Sequence, residues 1–406
     1  VSPVTSWKRG RKVLLGISGG ISAYKAIDFI RHLVKADCQV EVILTEGAQA
    51  FVSPLVISTL TGRRCWLEED FLSHDRGYEI PHIGLTDWAD VMVVAPCTAN
   101  VLAMGAAGLS GTLLGAALLA ARCPVVLFPA MNVKMWEHPA TQENVRRCSQ
   151  WGYQVVPPEE GALACGYDGK GRLPSVEALM EYTWRALCPK RDMEGRSFLI
   201  TAGPTWEFLD PVRFISNPST GKMGVELARA AWYRGGDVTL VCGPGVKPDV
   251  PGARVENVVS AEDMLEKCLE FRDSDVIIKA AAVGDYRAST VQGSKIKREG
   301  MSTLALELVS NPDIAARLGQ LRRDGQVLVG FAAETDNLID NALSKMRSKG
   351  LDAIVANDVT RQGCGFGSDT NQVSMVDRRG RRMDFQGTKE EVAHFVLDVV
   401  TELLEE

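Results

Sequence analysis

The sequence has no C-x-x-C pair; its ten cysteines stand singly from Cys38 to Cys364, and its five histidines fall at no metal-ligand spacing. That argues against a structural zinc and against a disulfide framework, and it fits a reducing, cytoplasmic location. Positive charge is also lacking. With 45 basic and 51 acidic side chains the net charge is -6, so no global field favours a nucleic acid. Residues 1–10 have no apolar core, so no secretory signal is expected. Residues 91–121 carry no charge, yet Pro96, Gly105, Gly108, Gly111 and Gly115 interrupt them, leaving no clean run of about 20 apolar residues for a membrane span. No low-complexity bias appears among 38 Gly and 18 Pro.

What is present is a repeated alternation of short apolar runs and amphipathic stretches over 406 residues, enough for two domains. Strands are expected at Lys12 to Gly16, Gln39 to Leu44, Asp90 to Ala95, Pro124 to Pro129 and Tyr153 to Val156. Helices are expected from Ile21 to Lys35, after Thr45, as one long apolar helix opened by Thr98 to Asn100, and after Ser175. The polar link Cys188 to Asp192 sets a boundary, giving domains of 1–190 and 191–406. The second domain restarts with a strand at Ser197 to Thr201 and continues with strands at Val238 to Val241, Val276 to Ala281, Val327 to Phe331 and Ala353 to Ala356. Ser260 with Asp263, and Thr388 with Glu391, have capping-box spacing. Near the end, Gln372 to Val376 and Arg381 to Phe385 flank a turn as a hairpin. Such alternation predicts parallel sheets with ligands at the carboxyl ends of their strands.

In the first domain the turn Gly16-Ile17-Ser18-Gly19-Gly20 offers backbone N–H groups to an anion at a helix start, although it does not match G-x-G-x-x-G. Taken alone, it serves packing as readily as binding. Thr45, and Thr98, Ala99 and Asn100, fall at the same sheet edge and favour a mononucleotide. Three further features are His82 at a helix entry, Pro129 to Trp136 around Asn132, and Cys165 in the Gly-dense stretch 161–171, whose composition suits a mobile flap carrying an acid.

Together, Gly16 to Lys25, His82, Pro129 to Trp136 and the Cys165 stretch resemble the flavin-dependent phosphopantothenoylcysteine decarboxylases over residues 11–188. The resemblance implies a flavodoxin-like domain, a doubly wound parallel sheet, that binds FMN and forms trimers with FMN shared at the contact. It also implies a chemistry. Flavin takes hydride from the carbon bearing sulfur, the resulting thioaldehyde accepts the electrons released with CO₂, and the enethiolate is protonated and reduced. By the same resemblance His82 serves the oxidative decarboxylation, Asn132 holds the carboxylate and Cys165 protonates the enethiolate. One departure is Ser110-Gly111-Thr112, where relatives carry an acidic residue.

In the second domain the polar βα connection from Thr201 to Gly224, containing Arg213 and Asn217, is long for a loop without a function. Ala280 to Tyr286 ends a strand with small residues, and Lys295 to Arg298 is a cationic cluster suited to a triphosphate. With Asn311 to Ile314, Gly330 to Thr335 and Ala356 to Asp358, these segments resemble the phosphopantothenate–cysteine ligases over residues 195–400. That family is Rossmann-like and dimeric, here with an antiparallel hairpin edge, and the fusion order matches bacterial bifunctional enzymes whose ligase uses CTP. The resemblance implies that Lys295 stabilises cytidylate formation and that Arg213, Asn217 and Ala282 serve attack by cysteine. It further implies a CTP site of Lys279, Ala280, Ala281, Asp285, Lys295, Pro312, Asp313, Ile314, Ala315, Phe331, Lys345 and Lys349, with Mg²⁺ accompanying the triphosphate through unassigned ligands. Trimeric and dimeric contacts in one chain would permit a dodecamer. Two other readings are disfavoured: an FMN reductase fused to a nicotinamide-binding domain, by the missing dinucleotide fingerprint, and a regulatory flavodoxin-like module, by His82, Asn132 and Cys165 occurring together.

Overall fold

The computed structural model describes residues 5–73, 80–162, 166, 168–297, 303–334, 338–358 and 369–405. It divides into two compact units, one from Ser6 to Pro189 and one from Lys190 onward. Among the described residues no helix is long and apolar enough to cross a membrane.

The first unit is built on a parallel sheet of β1 (Lys12–Ile17), β2 (Gln39–Leu44), β3 (Val91–Cys97), β4 (Val125–Pro129) and β5 (Gln154–Val155) in the order β2-β1-β3-β4-β5. Every residue of β3 and β4 is buried, as a central strand covered on both faces requires. On one face α1 (Tyr24–Lys35) packs with α2 (Pro54–Thr61) and α8 (Val176–Leu187). On the other, α3 (Pro81–Trp88), α4 (Ala99–Ala107), α5 (Leu113–Ala120) and α7 (Pro139–Gln150) pack together, with the single turn α6 (Val133–Trp136) beside them. The order reverses direction between β1 and β3, the switch point where ligands of doubly wound sheets sit. This is the flavodoxin-like order.

Three local expectations are corrected. The long apolar helix is two, because Gly108 at φ 66° ends α4 in a left-handed cap. Thr112 starts α5 by accepting from Gly115 N–H (3.1 Å), and the Glu68 carboxylate receives the Leu113 N–H at 3.0 Å. An acid from elsewhere thus reaches the helix start beside Ser110-Gly111-Thr112. The segment after Thr45 is a short 3₁₀ turn, Glu46–Ala50, before α2. The Gly-dense stretch holds an antiparallel pair, β6 (Glu159–Ala162) and β7 (Asp168–Arg172), rather than a loop throughout.

The second unit has an eight-stranded sheet, ordered β12-β11-β8-β13-β16-β17-β18-β19. Its members are β8 (Ser197–Ala202), β11 (Asp237–Cys242), β12 (Arg254–Asn257), β13 (Val276–Lys279), β16 (Val327–Glu334), β17 (Ala353–Asp358), β18 (Thr370–Asp377) and β19 (Arg382–Thr388). β12 to β17 run parallel, and β18 and β19 form the antiparallel edge. Two small ribbons, β9 (Glu207–Phe208) with β10 (Phe214–Ile215) and β14 (Tyr286–Ala288) with β15 (Leu308–Ser310), lie outside it. Helices α9 (Lys222–Tyr233) and α13 (Lys389–Leu404) pair with each other, while α11 (Ile314–Gln320) packs against α10 (Ala261–Glu270) and α12 (Leu338–Lys349). Both capping boxes form, at Ser260 with Asp263 and Thr388 with Glu391. β13 ends at Lys279, so Ala280 and Ala281 belong to the loop, not the strand.

One buried charge cluster ties the unit's first and last segments. Arg234 is fully buried and donates to Asp192 (2.7 Å), Asp398 (2.7 Å), the His394 carbonyl (3.1 Å) and the Thr401 hydroxyl (3.1 Å). Burying a guanidinium is tolerable because each of these acceptors replaces water.

Candidate active sites

At the carboxyl edge of the first sheet, the loops after β1 and β3 are knotted by Ser18. Its buried hydroxyl donates to the Pro96 carbonyl (2.7 Å) and accepts from Thr98 N–H (3.0 Å), and its own N–H reaches the same carbonyl at 3.3 Å. Ser18 therefore builds the cradle by joining its walls. Gly19 brings the β1 loop against the β2 loop, since a Cβ there would stand 2.7 Å from the Gly47 carbonyl carbon. Thr45 N–H bonds the Ile17 carbonyl (3.1 Å), holding the third wall. Thr98 and Ala99 are half-buried beside it, and Asn100 is exposed with its amide 3.6 Å from the Met104 sulfur. Gly16 differs from its neighbours. It lies inside β1, and a Cβ there would meet Leu114 Cδ1 at 2.6 Å, so its bareness serves the core.

His82 is the second residue of α3, whose first turn falls at this same edge because helices run antiparallel to the strands they follow. Its ring meets Phe71 edge-on at 5.5 Å between centroids. Its Nδ1 is sealed from solvent with no hydrogen-bond partner among the described residues. Asn132, after β4, caps α6 by accepting from Lys134 N–H at 2.9 Å. The neighbouring Met131 N–H donates to the Gly171 carbonyl (3.0 Å), docking β7 on the Asn132 loop. Cys165 lies outside the described residues.

The carboxyl edge of the second sheet opens into a cavity of about 550 Å³. Lining it are Asn217, Lys279, Ala280, Ala281, Ala282, Asp285, Pro312, Asp313, Ile314, Ala315, Phe331, Lys345 and Lys349. The loop after β13 is pinned from three sides. Thr201 and Thr205 hydroxyls accept from Ala281 and Gly284 N–H (3.1 and 3.0 Å), and Asn311 Nδ2 donates to the Gly284 carbonyl (2.7 Å). Asn217 Nδ2 reaches the carbonyls of Ala282 and Val283 at 3.2 and 3.1 Å, joining the long β8–α9 connection to this loop.

Charge concentrates at both ends of this cavity. Lys279 is buried at the floor, its ammonium 3.9 Å from the Met264 sulfur, and burial pushes its pKa down. Lys349 pairs with Asp313 at 3.0 Å. Burial alone would raise the Asp313 pKa, but the Ala316 N–H and Lys349 outweigh it and hold the carboxyl below its ordinary value. At the other end Lys222 opens α9 and Lys389 opens α13. Burial, reinforced by Lys222, lowers the Lys389 pKa. Lys222 also bonds Asp369 at 2.8 Å.

Arg213 and Lys295 are not among the lining residues: Lys295 is exposed, and Arg213 Nη1 bonds the Ile296 carbonyl at 2.9 Å. Conversely, Lys222, Lys389, Asn357 and Asn371 line the cavity without having been singled out as site residues. The Asn357 and Asn371 amide oxygens are buried without partners among the described residues.

Both units match known families. Residues 1–187 match the flavoprotein family and residues 193–404 the DNA/pantothenate metabolism flavoprotein C-terminal domain. A flavoprotein half is thus followed by a pantothenate-metabolism half. The coenzyme A biosynthesis bifunctional protein CoaBC of Bacillus subtilis (strain 168) is 43% identical over 401 residues, covering 98% of this chain and 96% of that protein. The protein of the same name from Escherichia coli (strain K12) is 38% identical over 394 residues, covering 96% and 97%. A crystal structure of a CoaBC C-terminal domain is 38% identical, covers 53% of this chain and 99% of its own, and superposes with a TM-score of 0.46. The chain belongs to the CoaBC family of bifunctional coenzyme A biosynthesis proteins.

Proposed function

We propose that the second unit joins cysteine to phosphopantothenate at the expense of CTP, and that the first decarboxylates the product to phosphopantetheine. The observation that carries this reading is the cavity lined by two separate groups of lysines, Lys279 with Lys349 and Lys222 with Lys389, and by the Asn217–Ala282 seam. Attaching a carboxylate oxygen to a phosphoryl group turns it into a leaving group, and CTP supplies that group when the acid and the triphosphate meet in one cavity. The Lys279, Lys345 and Lys349 end suits the triphosphate, taken with Mg²⁺. Lys222 and Lys389, at the starts of α9 and α13, suit the phosphate at the far end of the acid. Pyrophosphate leaves as the acyl-cytidylate forms, and the cysteine nitrogen then displaces CMP. Asn217, fixed to the carbonyls of Ala282 and Val283, holds the acyl group between the two ends.

In the first unit the cradle fits a flavin mononucleotide: two loops approach with no Cβ between them at Gly19, and the buried His82 Nδ1 has no hydrogen-bond partner among the described residues. When bound, FMN supplies the two-electron sink that loss of CO₂ from a saturated carbon needs. Ser18 keeps the cradle walls together, while Thr98 and Ala99 border the phosphate position. Asn132, with Oδ1 turned to Lys134, presents Nδ2 as the donor for the substrate carboxylate. His82 holds or moves a proton at a ring nitrogen, and Cys165 delivers one late in the reaction. Trimeric contacts in the first unit and dimeric ones in the second complete this reading, as does a cytoplasmic site of action.

The test supplies phosphopantothenate, cysteine, CTP and Mg²⁺ to the full chain and follows pyrophosphate and CO₂. Stoichiometric release of both is expected. Pyrophosphate without CO₂ would leave only the ligase.

A further inference from the structure

The family resemblance assigns the two half-reactions of the ligase to residues far apart in sequence, Lys295 and Arg213, and neither is among those lining the cavity. One carboxylate joins them. Asp210 is fully buried in the β8–α9 connection. Its Oδ1 accepts from the N–H groups of Val212 and Arg213, both at 2.8 Å, closing a tight local turn. Its Oδ2 faces the other way, accepting from Arg213 Nη1 at 3.2 Å and from Ile296 N–H at 3.1 Å. Arg213 Nη1 then bonds the Ile296 carbonyl, and Gln292 N–H bonds the Leu209 carbonyl at 2.9 Å. The strap from Gln292 to Lys297 is thereby sewn onto residues 209–213 at three points. Ile296 is the residue next to Lys295.

We propose that Asp210 is a positioning residue for both half-reactions, holding Arg213 and the Lys295 strap in one register. The inference rests on the ligase reading above. Burial alone would raise the Asp210 pKa, but the N–H donors of Ile296, Val212 and Arg213 and the guanidinium outweigh it and keep the carboxyl below its ordinary value. It is therefore a fixed anion at working pH. The two oxygens divide the labour: Oδ1 makes the turn, and Oδ2 makes the link to the strap. Asp210→Asn separates them, because an amide can keep its oxygen on the turn while its NH₂ meets only donors on the strap side.

The experiment uses the full chain with phosphopantothenate, CTP and Mg²⁺, following pyrophosphate release, with hydrogen exchange of segments 205–215 and 289–297. In D210N, strap amides should lose protection while those of 212 and 213 keep it, and pyrophosphate release should fall roughly ten- to a hundredfold. In a Lys295→Arg background, which keeps the charge but not its placement, D210N should cost no more than about twofold, since the placement is already lost. Ile296→Pro, which deletes the same link from the half-exposed strap, should reproduce the loss without touching buried Asp210. An equal cost of D210N in both backgrounds, unchanged strap protection, or an I296P rate equal to wild type would overturn the proposal. Absence of pyrophosphate from the wild-type chain would instead overturn the ligase reading, so the two failures are distinct.

Discussion

Substituting Gly224→Ala tests whether the wall of the second cavity is set by how closely α9 lies on β8. A Cβ at Gly224 would stand 2.5 Å from Ala202 Cβ, 2.8 Å from the Thr201 carbonyl oxygen and 2.9 Å from Ala202 Cα. Ordinary contact begins at 3.4 Å, so the helix must retreat by about 0.9 Å, and the opposing atoms are backbone or a Cβ that cannot swing aside. Overpacking of this kind costs roughly 1–3 kcal/mol. In a unit of this size that lowers the melting temperature of the second transition by roughly 2–12 °C. The larger effect should be functional, because Asn217, Lys222 and Met223 move with the start of α9 and all three line the cavity. A displacement near 1 Å in groups that position reactants lowers the rate about a hundredfold. Pyrophosphate release at saturating CTP is the assay, with decarboxylation of supplied phosphopantothenoylcysteine as the internal control. A G224A protein with wild-type melting and wild-type pyrophosphate release would refute the argument.

Gly19→Ala should separate the β1 and β2 loops, since its Cβ would press on the Gly47 backbone at 2.7 Å, and FMN retention should weaken roughly tenfold or more in a fluorescence titration. His82→Asn should abolish CO₂ release while the protein still binds FMN and still makes pyrophosphate. Arg234→Met removes the partner of two carboxylates that are 30% and 40% exposed, so the cost, read from the urea midpoint, should be roughly 2–3 kcal/mol rather than the larger penalty of a fully buried pair. For Asp192, partial burial raises the carboxyl pKa but Arg234 outweighs it, leaving it below the ordinary 3.8. Its contribution to stability is therefore complete above that pH and is lost as the pH falls below it, so acid unfolding of the second unit should begin at higher pH in Asp192→Asn, which has already lost the pair.

Elements with local signals were legible in the sequence. The Ser260–Asp263 and Thr388–Glu391 spacings located two helix starts because a capping box is complete within four residues. Apolar runs located β3 and β4 because both faces of those strands are covered. Where the deciding atom is distant, the sequence is silent. Gly16 reads as part of a phosphate turn, and nothing near it announces that Leu114 on α5 packs against its bare Cα. The apolar stretch after Thr98 reads as one helix because hydropathy cannot register the left-handed cap at Gly108. The four residues of β12 are hidden behind Pro248, Pro251 and Gly252. Lys389 looks like an ordinary first-turn lysine until the antiparallel edge returns α13 beside α9 and turns two helix starts toward one cavity. For the same reason the cationic ends of the cavity could be proposed for Lys345 and Lys349 from their resemblance to a family, whereas Lys222 and Lys389 required the folded chain.

The Arg234 cluster has a consequence for how the chain is made. Its acceptors come from Asp192 at the head of the second unit and from His394, Asp398 and Thr401 near its tail, so the clasp stays open until the 167 residues from Arg234 to Thr401 have left the ribosome. Until then a guanidinium destined for full burial has Asp192 alone of its four acceptor residues, and the face of α9 meant for α13 is bare. The first unit runs from Ser6 to Pro189, ahead of this clasp in the chain, and can close while synthesis continues. Order of emergence thus separates the two halves in time: the domain acting second in the proposed reaction sequence matures first, and the domain acting first waits for its last helix.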